Sequence, residues 1–308
     1  MKNTRILFIA ALILSVGMQA EAKKVNLKYQ LKAGTEFKYE VAMSQESAQE
    51  VMGNSQSSTT STTTTLDFKV LEVTSTGDMN MKAALVALSL TGTSPAGEMK
   101  FNSATDTVIP EFAKMSSLGL NQYYTFTLSP LGKITDLKAP EGFVEKLDKL
   151  IAEQGASTMG MGAVAGAAAG PEGFQKSLEG IFLTFPEGGA EVKKPWNVES
   201  KINQMVPMKV NSKYELMNST KETNELKVNS QISVDPDAPP MDIQGMKMSF
   251  ELVGAKEGKI MLDAVTGLIN AVEATTSISG NISIEGPQLP TPMSIPMTVR
   301  MTEKISKK

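Results

Sequence analysis

The residue types that carry most enzyme chemistry are missing from this sequence. Its 308 residues include no His and no Cys. Without them the chain has no Ser-His or Cys-His nucleophile pair, no imidazole base, and no ordinary zinc, copper(II) or haem ligand set. Carboxylates could still form a glycosidase-type pair, but Glu141 and Glu145 lie one helical turn apart beside Lys146 and Lys149, which indicates a salt-bridged surface. The sequence therefore predicts a protein that is not an enzyme and needs no cofactor.

Methionine is the most distinctive residue type that remains. The sequence has 20 Met, and several recur at a spacing of two, which puts both side chains of a pair on one face of a strand. Thioether pairs can bind copper(I), but Met is also flexible and polarizable and suits a core or a groove for greasy ligands. We favour the second interpretation and predict no metal site. The residues expected to contact a hydrophobic ligand are Phe143, Leu147, Met159, Met161, Phe174, Met246 and Met248.

The segment 156–170 consists almost entirely of Gly, Ala and Met. Gly160, Gly162 and Gly166 superficially match a dinucleotide-binding motif, but that motif needs a strand before it, and a predicted helix precedes this one. Small residues at every fourth position also suit the close packing of membrane helices, although the segment is short for a span. We expect either a movable flap that touches a ligand or membrane, or a flexible loop.

The N-terminus has the layout of a secretory signal peptide over residues 1–22. Lys2 and Arg5 supply positive charge, residues 6–16 are apolar, and Ala20 and Ala22 are the small residues that flank cleavage. No Cys follows for lipid attachment. The sequence therefore predicts an exported protein of the periplasm or the extracellular space, with no transmembrane span after removal of the signal.

The charge distribution argues against nucleic acid as a partner. The chain has 30 basic and 33 acidic residues, and no basic cluster is longer than a pair such as Lys193-Lys194. Nucleic-acid binders concentrate basic side chains on one surface. With no disulfides available, an exported chain of this kind must be stabilised by packing.

Alternation of apolar and polar residues predicts that most of the chain is strand. Val25, Leu27, Tyr29 and Leu31 share one face, and an arm over residues 36–52 would be about 55 Å long. Strands are predicted over 25–138 and 192–306, with one of the turns at residues 255–258. A helical and flexible middle over 140–181 separates them.

Helical spacing predicts three helices, over 110–118, 140–154 and 171–181. Residues 23–308 are expected to form a single β-rich domain, with two separate domains as the alternative. The predicted fold is mainly β: a long-stranded, strongly twisted antiparallel sheet that forms an open half-barrel, with a few helices on its concave side.

Five stretches together carry a family resemblance: 27–39, the hairpin tip at 49–53, 128–134, 185–186 before Trp196, and 263–269. They resemble an uncharacterised family of exported bacterial β-rich proteins, grouped as a domain of unknown function. Where that family places Gly-Asp-Ser before the Trp, this chain has Lys194-Pro195. The resemblance implies no catalytic residues. The long-stranded pattern is also similar to the half-barrels of lipoprotein and lipid carriers such as LolA and LppX.

These features lead to one expected function and one alternative. We expect a non-catalytic cell-envelope protein that binds a hydrophobic ligand or an acylated partner, a lipid or lipoprotein, between sheet and helices. The alternative is a structural or adaptor protein whose sheet edges, or hairpin tip near Gly53, recruit another protein. The sequence does not predict the oligomeric state.

Overall fold

Long strands dominate the computed structural model, which describes residues 24–51, 53–95, 97–155, 169–203, 206–237, 241–243, 246–287 and 291–308. The predicted signal residues Ala20 and Ala22, and the candidates Met159 and Met161, lie outside the described residues. The helices of the described residues are α1 (Glu111–Ser117), α2 (Phe143–Gly155) and α3 (Pro171–Ile181). The strands are β1 (Lys24–Val25), β2 (Glu36–Val51), β3 (Asn54–Val73), β4 (Met79–Ser94), β5 (Gly97–Asn102), β6 (Tyr124–Leu128), β7 (Ile134–Lys138), β8 (Ala190–Glu191), β9 (Pro195–Asn203), β10 (Pro207–Ser219), β11 (Thr223–Val234), β12 (Met241–Ile243), β13 (Met246–Asp263), β14 (Ile269–Glu285) and β15 (Met293–Lys307).

One antiparallel sheet of 13 strands contains most of these elements. Its order is β7-β6-β4-β3-β2-β15-β14-β13-β11-β10-β9, with β5 beside β4 and β12 beside β13. Within the described residues the edge strands β7 and β9 do not pair with each other, so the sheet stays open. The predicted fold class, a long-stranded open half-barrel with few helices, is confirmed.

Apolar–polar alternation in part of each strand, together with a Ser/Thr-rich run in β3, accounts for the length of β2 and β3. β2 has 16 residues and β3 has 20. The Ser/Thr-rich run in β3 is strand, as predicted, because β-branched Thr suits a pleated backbone. Its hydroxyls also bond across strands: the Oγ1 atoms of Thr59 and Thr93 lie 2.8 Å apart, and the Oγ atoms of Ser47 and Ser58 lie 2.7 Å apart.

The turn predicted at residues 255–258 is wrong, because these residues lie in the middle of β13. They pair with β11 on one side and with β14 on the other. Gly254, just before them, allows the neighbouring backbone to come close, since an added Cβ would lie 2.6 Å from the carbonyl oxygen of Ser277. Glycine here indicates a close approach between strands and not a turn.

The alternation from Val25 to Leu31 correctly predicts which side chains are buried. The prediction that the segment is a strand is wrong beyond Val25. Leu27, Tyr29 and Leu31 are all buried. However, the N–H of Tyr29 donates to the carbonyl of Pro130, and the N–H of Gln30 donates to that of Thr266. The segment therefore bonds to two turns and not to a neighbouring strand.

The main core lies between the sheet and α3. Leu178 and Ile181 of α3 pack against buried strand residues, and Phe182 meets Phe68 edge-on with the ring centroids 5.5 Å apart. Tyr29 stacks on Phe185 at 4.9 Å. This packing fixes α3 on one face of the sheet, near the strands that follow the β2–β3 hairpin in the sequence.

The helices begin and end close to their predicted positions. α3 has the predicted bounds, and α1 differs from its prediction by one residue at each end. α2 begins at Phe143 and not at Pro140, because Gly142 has a φ of +68°, which no right-handed helix contains. Among the described residues, no helix has the length and the apolar character needed to cross a membrane.

Candidate functional site

Three of the predicted ligand contacts meet around one tyrosine. Phe143 of α2 meets the ring of Tyr124 edge-on at 5.5 Å, and Phe174 of α3 stacks on the same ring at 4.1 Å. Leu147 and Met115 complete the group. We call these five residues the Tyr124 cluster.

The hydroxyl of Tyr124 has no hydrogen-bond partner among the residues that the structure describes. Tyr124 is 1% exposed, and its oxygen is buried without a hydrogen bond to any described residue. Burial raises the pKa of Tyr124 to about 12, so the phenol is neutral and can donate or accept a hydrogen bond. A buried hydroxyl left unpaired normally costs about 1–3 kcal/mol, which makes this group a candidate contact for a ligand.

A second unpartnered oxygen belongs to the helix that precedes β6. Ser117, the last residue of α1, is 7% exposed, and its Oγ also lacks a hydrogen bond among the described residues. Met115, two residues earlier, belongs to the Tyr124 cluster. The region around α1 and β6 therefore combines apolar side chains with two unsatisfied hydroxyls.

Helix α2 covers the Tyr124 cluster through apolar contacts. Phe143 and Leu147 are buried, and Leu150 and Ile151 pack against the cluster from the next turn. The opposite side of the helix is exposed, for example at Val144. Among the described residues, no ion pair joins α2 to another element. The described contacts between α2 and the cluster are therefore apolar, and such contacts can be exchanged for those of an apolar ligand.

The two methionine candidates on β13 lie elsewhere. Met248 pairs with Met241 of β12 and Ile284 of β14, and Met246 is 38% exposed. Five strands, β4, β3, β2, β15 and β14, separate β13 from β6 in the sheet. The structure therefore brings together Phe143, Leu147 and Phe174 but not the Met pair.

A further apolar face of the sheet, made of largely buried side chains, lies on the same half of the sheet as the Met pair. None of the described helix residues belongs to this face. A polar layer separates it from the main core: Lys256 forms a 2.7 Å ion pair with Glu303, and Ser212 and Ser230 share a 2.8 Å hydrogen bond. We call this surface the distal apolar face; its residues are Met208, Val210, Ile232 and Leu252, with Ile202, Phe250, Ile278 and Met297 beside them.

The Met pair at 79 and 81 illustrates the structural use of methionine. Both side chains are fully buried, and both belong to the main core. Their position agrees with the apolar interpretation of paired methionines. Among the described residues, no group of acidic side chains is arranged to hold a metal ion.

A groove of about 690 Å³ crosses β3, β2, β15, β14 and β13. Most of the residues that line this groove have exposed side chains. Examples are Glu46, Arg300 and Val253, which is 63% exposed. Small polar side chains make up much of the rest. Because apolar ligands are usually enclosed by apolar and aromatic side chains, the Tyr124 cluster is the better candidate for a hydrophobic ligand.

A family model matches residues 76–269, more than half of the chain. The chain belongs to DUF6263, a family of unknown function. The DUF6263 region contains the whole Tyr124 cluster and ends at the first residue of β14. This match confirms the predicted resemblance at the level of an uncharacterised family. The similarity to LolA and LppX stays a prediction.

Comparison with other proteins adds distant likenesses. No curated protein matches the chain. A lipovitellin structure described by its lipid–protein interactions is 10% identical, with a TM-score of 0.48 over 91% of this chain, which spans only 25% of the lipovitellin chain. The outer membrane protein OprG from Pseudomonas aeruginosa is 10% identical, with a TM-score of 0.20 over 91% of this chain and 98% of its own. An outer membrane channel from Pseudomonas putida F1 is 8% identical, with a TM-score of 0.23 over 91% of this chain and 97% of its own. Likenesses at these scores do not establish a common fold.

Proposed function

We propose that this protein is a non-catalytic, exported protein of the cell envelope that holds a hydrophobic molecule, or the acyl chain of a partner, beneath α2. The observation that carries this proposal is the Tyr124 hydroxyl, which is buried inside a cluster of apolar side chains and has no partner in the described part of the chain. The sequence-predicted contacts Phe143, Leu147 and Phe174 lie around the same ring.

The composition of the cluster supports an amphiphile as the ligand. Aromatic and aliphatic side chains contribute binding energy in proportion to the apolar area they cover. One buried hydroxyl adds a single directional contact, which suits a ligand with one polar group at the end of an apolar chain. We therefore expect a fatty acyl chain whose carbonyl or carboxyl oxygen accepts a hydrogen bond from Tyr124.

The attachment of α2 supports a route for ligand entry. Phe143 and Leu147 belong to the cluster, and Leu150 and Ile151 pack against it, so an acyl chain can replace these apolar contacts with similar ones. The helix then closes over the chain and excludes water. The cost of displacing α2 is offset by the apolar surface of the ligand.

Native mass spectrometry of the protein purified from its own envelope tests this function. We expect a bound species of lipid mass that disappears after extraction with organic solvent. Leu147→Ala, on the buried face of α2, should lower its occupancy. The matched control Val144→Ala, on the exposed face of the same helix, should leave it unchanged. A clean ligand-free mass, with no lipid in the extract, would contradict the proposal.

A further inference from the structure

The two edges of the large sheet differ in how well they are protected. β7 is only five residues long, has a register irregularity in its pairing with β6, and lies beside α3. β9 is nine residues long, and all nine pair with β10 in an unbroken register. Natural proteins usually shorten, distort or cover an edge strand, because its unpaired backbone groups invite another strand. Within the described ranges, β7 is short, irregular and covered, whereas β9 is longer, regular and uncovered.

The backbone of β9 has one described neighbour in the sheet, β10, and its other side faces away from that strand. Among the described residues, no backbone or side-chain group hydrogen-bonds to β9 on that side. Pro195 stands at the first position, where it removes a donor only from the end of the strand. An additional antiparallel strand can therefore pair with β9 over most of its length.

The side chains of β9 alternate between the two faces of the sheet. Trp196, Val198 and Ile202 lie on the partly buried face, where Trp196 stacks on Tyr214 and Ile202 packs against the distal apolar face. Glu199 and Lys201 lie on the opposite, exposed face, with 56% and 51% of their side chains exposed. Both faces of β9 thus offer groups to a neighbouring strand.

The order of these residues is complementary to itself. If two copies of β9 pair antiparallel with Ser200 opposite Ser200, Glu199 of each copy faces Lys201 of the other. In the same register, Val198 of each copy faces Ile202 of the other. Opposite charges and paired β-branched residues are both favourable cross-strand neighbours. A twofold axis through Ser200 satisfies all four contacts at once, as a symmetric dimer interface requires.

From this pattern we propose that β9 is a dimerisation edge whose partner is the β9 of a second copy of this chain. The two sheets then form one continuous sheet, and the distal apolar faces of the two copies adjoin across the axis. An interface limited to one strand pair is small, so we expect a weak dimer that depends on protein concentration. The acyl-chain site beneath α2 does not take part.

Two intramolecular ion pairs must be considered in designing the test. Oε1 of Glu199 lies 3.0 Å from Nζ of Lys209. Nζ of Lys201 lies 2.7 Å from Oδ2 of Asp235, whose carboxylate is mostly buried. Replacing Lys201 by an acid would place two carboxylates together, so Lys201→Glu is made together with Asp235→Asn. Asp235→Asn alone is the matched control, because it breaks the same ion pair without changing the charges at the edge.

Sedimentation equilibrium over a range of concentrations tests the proposal. Wild type and Asp235→Asn should dimerise alike. Glu199→Lys should weaken self-association by roughly tenfold, because two like-charged pairs then face each other, and the Lys201→Glu/Asp235→Asn variant should do the same. An equimolar mixture of these two chains should recover dimerisation, since each then faces its complement. A wild type that stays monomeric at the highest concentration, or charge variants that dimerise as tightly as wild type, would overturn the proposal.

Discussion

The hydroxyl of Tyr39 donates a 2.8 Å hydrogen bond to the backbone carbonyl of Ile269, 230 positions later in the chain. Both residues are fully buried in the main core. The bond joins β2 to the start of β14, and β15 lies between these two strands in the sheet. It therefore joins a strand from the first part of the chain to one from the last part within the main core.

Removing this hydroxyl should destabilise the protein. Tyr39→Phe leaves the Ile269 carbonyl without its partner in a buried site, so we expect a loss of about 1–3 kcal/mol in the free energy of unfolding. Tyr29→Phe is the matched comparison, because Tyr29 is also buried but its bond to the carbonyl of Leu183 is longer, at 3.3 Å. Urea denaturation of both variants should show the larger loss for Tyr39→Phe. Equal losses would contradict this explanation.

Two glycines should respond to alanine in opposite directions. Gly280 in β14 has a φ of +149°, and an added Cβ would lie 1.9 Å from the carbonyl oxygen of Glu251. Gly280→Ala should therefore cost about 3 kcal/mol or more, through strain and displacement of β13. Gly180 in α3 has open space around it, so Gly180→Ala should stabilise by about 0.5–1 kcal/mol through helix propensity. Thermal unfolding of both variants measures the difference, and a stable Gly280→Ala protein would show that the strands can separate there.

The fold was predictable from sequence where the signal is local. Alternation predicted the long strands, and the bounds of α3 followed from Pro171 and the spacing of Phe174, Leu178 and Ile181. The interior of β13 was misassigned because residues 255–258 combine charge with glycine, a pattern that usually marks a turn. The pairing of β2 with β15 joins distant parts of the chain, and no local pattern encodes it.

The candidate site was predictable only in part. Helical spacing identified Phe143, Leu147 and Phe174, since each lies on the apolar side of its helix. Tyr124 lies on the buried face of β6, but whether its hydroxyl has a partner depends on every neighbour in three dimensions. For this reason, sequence reasoning did not include Tyr124 among the ligand contacts.

The turn between β13 and β14 should make stability depend on pH. Partial burial raises the pKa of Asp263, but hydrogen bonds from the backbone N–H and hydroxyl of Thr266 and the N–H of Val265 lower it more, so the net pKa is below its ordinary value. The ionised carboxylate therefore stabilises the fold above its unfolded-state pKa, and this contribution is lost as the pH falls through the lower folded-state value.

Asp263→Asn is the variant that checks this pH dependence. It should lower the melting temperature at neutral pH, and the gap from wild type should close in acid. Asp148→Asn, on the exposed side of α2, should follow wild type throughout. A gap for Asp263→Asn that stays constant down to strong acid would mean that the ionised carboxylate is not what stabilises the turn.

The unpartnered hydroxyl of Tyr124 should make the ligand-free protein less stable than it could be. Tyr124→Phe removes a buried polar atom and keeps the ring contacts with Phe143 and Phe174, so we expect a gain of about 1 kcal/mol in the free energy of unfolding after delipidation. Tyr123→Phe is the neighbouring control, since Tyr123 is 41% exposed and meets solvent and Lys82. It should change stability by less. A clear loss for Tyr124→Phe would mean that the hydroxyl already has a partner in the ligand-free protein.

The affinity of Tyr124→Phe for a fatty acid is the most direct test of the proposed function. Titration of delipidated protein with parinaric acid, a fluorescent fatty acid, should give saturable binding to wild type and to Tyr123→Phe. Tyr124→Phe should bind about 3–10-fold more weakly, the effect of one lost hydrogen bond, although the variant is the more stable protein. Absence of saturable binding to wild type, or equal affinity of Tyr124→Phe and wild type, would contradict an acyl-chain site beneath α2.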